Sequence, residues 1–145
     1  MFSFKDGWRE ETNLPEVINN PAITGYEPDK TLYIIGGRIQ VRDLNTVRVL
    51  KGSKWEFGPY LPEKISGAHA LFLDHVIYVF GGTSKQILKY SPKTDIPATW
   101  HKHGQLNSKR QYLGNLYIKL YRIRNGEKKI NFLIKILKKI NKYKR

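Results

Sequence analysis

The sequence predicts an all-β chain built from a repeated four-stranded antiparallel unit, and three observations point there. "DKTLYIIGG" (29–37) and "DHVIYVFGG" (74–82) place one pattern twice, 45 residues apart. Three tryptophans, Trp8, Trp55 and Trp100, recur at intervals of 47 and 45 residues. Between these markers run short segments rich in Val, Ile, Phe and Tyr, bounded by turn residues, as strands are. A chain of 145 residues is long enough to bury one core.

Each marker has a place in the unit. Six residues after each tryptophan comes a leucine, Leu14, Leu61 and Leu106, followed by Pro15 and Pro62 in the first two cases. The turn aspartates Asp29 and Asp74 precede the first glycine of each pair by seven residues. "TVRVL" (46–50) alternates apolar and polar residues, as a half-buried strand does. "AHALFLD" (68–74) and "VIYVF" (76–80) join at Asp74-His75, which reads as a tight hairpin. "QILKY" (86–90) is the third strand of that second unit, and turn-rich stretches lead from each third strand to the tryptophan. The glycine pairs Gly36-Gly37 and Gly81-Gly82 mark a sharp bend, or a backbone approach too close for a Cβ. From Gly37 to Leu50 is 13 residues and from Gly82 to Tyr90 only eight, so the loops vary while the strand markers persist. The units are expected to pack side by side through Tyr33, Ile35, Leu71, Phe72, Tyr78 and Phe80.

The unit resembles the kelch repeat, with Asp29, Tyr33, Gly36, Gly37, Leu50 and Trp55 in one copy and Asp74, Tyr78, Gly81, Gly82, Tyr90 and Trp100 in the next. Trp8 opens the series. The resemblance implies a partial kelch β-propeller of two to three four-stranded antiparallel blades over residues 1–118. Family propellers usually carry about six or seven blades, and here a third unit, "QLNSKRQYLGNLYI", keeps Leu106, Lys109 and Tyr117 but runs into Lys119-Leu120 where a glycine pair belongs. Repeat units do not bury their faces alone, so missing blades or self-association are expected, with the faces of 33–35 or 76–80 left open.

The formal charge of +14 is unevenly spread. Residues 119–145 hold 11 Lys and Arg against Glu127 alone, a net +10, and residues 1–118 carry only +4. In the basic tail, Ile130, Leu133, Ile134, Leu137 and Ile140 fall at helical spacing, the pattern of a basic amphipathic helix able to meet an anionic membrane. Residues 128–144 also use only amino acids that A- and T-only codons encode, which equally describes a disordered or mistranslated end. The concentration of charge in the tail argues against nucleic acid as the partner of the body. With no cysteine, disulfides and thiolate metal sites are excluded. No secretory signal pattern opens the chain and no run of about 18 apolar residues occurs, so a cytoplasmic location is expected.

Catalytic chemistry finds little to stand on, and neither cofactor nor metal is expected. His101 and His103 form a His-x-His pair without a third ligand nearby, while His69 and His75 lie in other segments. Paired carboxylates occur only at Glu10-Glu11. Kelch-type copper-radical oxidases depend on a Tyr–Cys crosslink that a cysteine-free chain cannot make. The resemblance instead implies a non-enzymatic protein-interaction module, akin to the substrate-reading part of cullin-ligase adaptors and belonging to a larger propeller protein. The partner would rest on the connections after the glycine pairs, at Arg38, Gln40, Arg42 and Asp43 and at Thr83, Ser84 and Lys85. The BTB and BACK segments of such adaptors are not in this sequence, so the expectation stops at partner binding. The alternatives are a fragment of a kelch-type sugar-processing enzyme, or a truncated product with no independent function.

Overall fold

The computed structural model describes residues 2–3, 7–8, 12–106 and 108–109. The strands are β1 (Phe2–Ser3), β2 (Gly7–Trp8), β3 (Ala22–Tyr26), β4 (Thr31–Ile35), β5 (Arg38–Ile39), β6 (Arg42–Asp43), β7 (Val47–Lys51), β8 (Lys54–Phe57), β9 (Ala68–Leu73), β10 (Val76–Gly81), β11 (Gln86–Tyr90) and β12 (His101–Gln105). Strands β3, β4, β7 and β8 form one antiparallel sheet in that order, and β9 to β12 form a second in sequence order. Both are the expected up-and-down meanders, here termed blade 1 and blade 2. Strands β1 and β2 form a small ladder, and β5 and β6 a hairpin inserted between β4 and β7. That hairpin occupies the longer of the two loops after a glycine pair. The architecture is repeated antiparallel sheet with blade-like units; the tail, Tyr117 and the third unit beyond Lys109 lie outside the described residues.

The hairpin joining β9 and β10 turns on Asp74 and His75, both left-handed at φ 49° and 64°, as a two-residue primed turn requires. The matching β3–β4 connection is longer, a 3-10 turn at Glu27–Asp29 closed by left-handed Lys30. In both blades the strand restarts two residues after the aspartate.

The core lies between the blades. Tyr26, Tyr33, Ile35, Val47 and Val49 of blade 1 bury against Phe72, Ile77, Val79, Leu88 and Tyr90 of blade 2. Aromatic edges cross the interface, with the ring of Tyr26 4.9 Å from that of Phe72 and Tyr33 6.5 Å from Tyr90. Apolar burial of this kind contributes about 25 cal/mol per Å², so this interface is the main term holding the two sheets as one body. The expected contacts Tyr33, Ile35 and Phe72 are here. Tyr78, Phe80 and Leu71 are not: register places them on the opposite side of blade 2 from Ile77 and Val79. Strand β10 is buried on both sides, so neither parity could be selected from alternation. The expectation that the faces of 33–35 or 76–80 stand open is likewise corrected, because Tyr33, Ile34, Ile35 and Ile77 through Phe80 are all buried.

The glycine pairs hold both properties expected of them. All four residues have positive φ. A Cβ on Gly36 would sit 2.3 Å from the Ile65 carbonyl oxygen, and one on Gly82 2.3 Å from that of Ser66. Both corners therefore press on one connecting segment, residues 65–67, which links the blades. The leucine after each tryptophan also repeats its role: Leu61 donates its N–H to Asn45 and Leu106 to Lys85, each tying the outermost strand back to an inner loop. Leu61 and Leu106 are both buried.

Candidate functional site

Strands β4 and β10 end at the glycine pairs on the same side of the two blades, and the chain between the blades passes there. Gly37 donates its N–H to Ile65 and Thr83 donates its own to Ser66. The Ser66 N–H in turn donates to the Thr83 hydroxyl at 3.1 Å. The Ser66 hydroxyl donates to Asp43 Oδ1 at 2.8 Å, and Arg38 Nε donates to the same oxygen at 2.6 Å. Two loops far apart in sequence are thus joined through a single buried serine.

The seven sequence-predicted binding residues fall into two groups. Arg38, Asp43, Thr83 and Ser84 carry side-chain bonds within the platform. Ser84 is buried, donating to Glu63 at 2.6 Å and accepting the Gln86 N–H at 2.9 Å. Gln40, Arg42 and Lys85 are exposed. Gln40 takes the left-handed turn of the β5–β6 hairpin, and beside it Val41 is 87% exposed. Sequence reasoning missed Val41, whose signal was an apolar residue at the centre of a loop longer than its counterpart. It also missed Ser66 and Glu63, which carry no marker of their own.

The Arg38 hydrogen bond, aided by that of Ser66, holds the Asp43 carboxyl below its ordinary value. The loop end therefore carries a fixed anion enclosed among donors, while Arg42, Lys64 and Lys85 extend into solvent around it. Next to it, where β3 and β9 begin, a cavity of about 330 Å³ opens between Asn20, Pro21 and Ala22 on one side and Gly67, Ala68 and His69 on the other. The His69 Nε2 atom is buried there without a hydrogen-bond partner.

The repeat markers are structural in position. Gly36, Gly37, Gly81 and Gly82 form the corners, Tyr33 packs between the blades and Tyr78 on the far side of blade 2. Burial pushes the Tyr33 hydroxyl up to about 12 and raises that of Tyr78, so both stay protonated across the physiological range. Asp29 and Asp74 sit at the turns, with Asp29 3.3 Å from Lys93. Trp100 is buried and Trp55 half-buried; the Trp8 backbone lies in β2, and its side chain is outside the described residues. His101 and His103 serve different neighbours: His101 lies 3.7 Å from Asp95, and His103 packs on the Tyr78 ring, where burial lowers its pKa. Among the described residues no group of three His, Cys, Asp or Glu is placed to hold a metal ion. No helix among them is long and apolar enough to cross a membrane.

No protein-family model matches the chain, and no curated protein matches it.

Proposed function

We propose that the chain is a non-enzymatic protein-interaction module built of kelch-type propeller blades, with its partner seated on the loop end. One observation carries this reading: the connections after the two glycine pairs meet through Ser66 and project Gln40, Val41, Arg42 and Lys85 from a braced base. Binding surfaces of this kind combine side chains free to be covered with a backbone that does not have to be ordered on binding. Val41 supplies an apolar anchor at the hairpin tip, and Arg42 and Lys85 supply charge around it. The kelch resemblance points to the same loops.

The test is affinity capture with the wild-type chain and a Val41→Asp/Arg42→Ala/Lys85→Ala variant, followed by direct titration of any differentially captured protein in pure form. The expected result is a partner whose affinity falls at least tenfold in the variant while the thermal melt is unchanged. A partner set and affinity identical in both proteins removes the loop end as the binding surface.

A further inference from the structure

Three segments meet at the loop end, residues 38–45, 63–67 and 83–86, and their charges are sorted by exposure. They hold four cations, Arg38, Arg42, Lys64 and Lys85, and two carboxylates, Asp43 and Glu63. Both carboxylates are engaged by donors of the platform: Asp43 accepts from Arg38 and Ser66, and Glu63 accepts from the buried Ser84 hydroxyl. Arg42, Lys64 and Lys85 are exposed. The opposite end of the strands differs, because lysine and acid stand together there, Lys93 beside Asp29 and Lys51 beside Glu56.

The hydrogen bonds of the platform bring the three exposed cations to one place. Ser66 is bonded to Thr83 through both its N–H and its carbonyl, and to Asp43 through its hydroxyl. Arg42 adjoins Asp43, Lys64 stands two residues before Ser66, and Lys85 two residues after Thr83. An extended chain spans about 3.5 Å per residue, so each cation lies within about 7 Å of backbone from this single node. Beside Arg42, at the tip of the hairpin, Val41 is 87% exposed. The loop end thus presents a cluster of positive charge around one apolar side chain.

The occupant that fits carries several anions along an extended chain, with an apolar group among them. Nucleic acid has the anions, but single strands are held by basic grooves interleaved with aromatic rings. The three segments contain no Phe, Tyr, Trp or His. A protein segment with Asp or Glu flanking an apolar residue has both features. We infer that the loop end takes an acidic extended segment of its partner, an apolar side chain covering Val41 and carboxylates meeting Arg42, Lys64 and Lys85. This rests on the loop end being the binding surface and adds the chemistry of what binds there. Exposed charges of this kind act on association rate and on choice of partner, so the affinity should fall as salt is raised.

Fluorescence anisotropy on the full-length protein tests this with three probes. They are a labelled peptide of alternating Glu and Gly around a central Leu, its counterpart with Gln in place of Glu, and an oligothymidylate of equal length. The basic tail also attracts anions, so two variants that lose the same charge are compared. One is Arg42→Gln/Lys64→Gln/Lys85→Gln at the loop end, the other Lys30→Gln/Lys54→Gln/Lys102→Gln away from it. All six positions are exposed, and both variants should melt as the wild type does. The Glu peptide is expected to bind at least tenfold more tightly than the Gln peptide. Its affinity should fall at least tenfold in the loop-end variant and about twofold at most in the other. Equal losses in the two variants, or none, overturn the inference, and so does a Glu peptide bound no better than its Gln counterpart. An oligothymidylate bound more tightly than the Glu peptide, and lost in the loop-end variant, makes nucleic acid the occupant instead. Failure of the loop-end reading itself is told apart by affinity capture: a partner lost on Val41→Asp but indifferent to the loop-end glutamines keeps that reading and removes the acidic segment.

Discussion

Trp100 reaches back from blade 2 to the segment just past β8 and donates its indole N–H to the Pro59 carbonyl at 2.9 Å. Trp55 holds the same place in the preceding unit, yet its indole N–H is buried with no acceptor. One repeat position thus performs two jobs, and of these two tryptophans Trp100 alone bonds back to the segment that follows blade 1. Replacing Trp100 by Phe would remove the donor and leave the Pro59 carbonyl unpaired, at a cost of about 1 kcal/mol beyond lost contact area. Trp55→Phe should cost less, since it relieves an unpaired buried donor. In a chain of this size about 1 kcal/mol moves the melting temperature by a few degrees, roughly 2–5 °C. Paired thermal melts of the two variants check this, and equal shifts would mean the Trp100–Pro59 bond contributes nothing.

The glycine corners set a steeper prediction. An alanine at Gly82 would place its Cβ 2.3 Å from the Ser66 oxygen and 2.7 Å from the Ala68 nitrogen, at a φ of +69°. Both neighbours are backbone, one in the linker between the blades and one at the start of β9, so neither can turn away. The loss should be about 3 kcal/mol or more, combining left-handed strain with forced movement of the linker. Gly52 has a similar φ of +59° but nothing within 4 Å of its Cβ. Gly52→Ala should therefore cost only the conformational term, about 1 kcal/mol. Urea denaturation of the two variants separates strain from collision.

Acid should loosen the loop end first. The Asp43 carboxyl is held below its ordinary value of 3.8 in the folded chain by the Arg38 and Ser66 hydrogen bonds. Its contribution is fully present above the unfolded value and is lost as pH falls through the folded one. Stability measured from pH 6 downward should thus decline below about pH 4 in the wild type. Asp43→Asn should decline less steeply there, and at neutral pH should be weaker by about 1–3 kcal/mol. Parallel acid slopes for the two proteins would show that Asp43 does not contribute.

How far the fold was legible depended on local pattern. Strand β11 falls on the expected 86–90, and β9 and β10 lie within a residue of expectation, because uninterrupted apolar runs there meet sharp turn signals. Strand β3 escaped notice since Gly25 interrupts it and Pro21 and Pro28 bracket it, although Ala22 and Tyr26 give it a firm hold on the core. The β5–β6 hairpin has two residues per strand, too few for any periodicity to register. In β10 both parities are apolar, so nothing in the sequence could say that Ile77 and Val79 rather than Tyr78 and Phe80 meet blade 1. The loop residues could be placed after the glycine pairs, but their sorting into platform and exposed rim could not. That sorting depends on Ser66 and Glu63, which reach Asp43 and Ser84 only through the fold.

The β9–β10 turn offers the opposite kind of change, one that strengthens the chain. His75 adopts φ 64° and Asp74 φ 49°, so both central residues of a two-residue hairpin are left-handed. An L-residue with a Cβ pays about 1–2 kcal/mol for that conformation, and Asn-Gly or Asp-Gly is the preferred sequence for such turns. His75→Gly creates Asp-Gly at the site. The substitution keeps the His75 carbonyl that accepts the Ser91 hydroxyl at 3.3 Å, and loses only an exposed ring whose contact is the edge of Phe72, 6.4 Å between centroids. Against the relief stands the greater freedom that glycine gives the unfolded chain, about 0.5–1 kcal/mol. The balance favours the variant by several tenths of a kcal/mol, up to about 1 kcal/mol. A melting temperature raised by a few degrees, with an unchanged urea m-value, is the expected reading. A lowered one would mean that the imidazole set edge-on to Phe72 stabilises the turn more than its backbone strain costs.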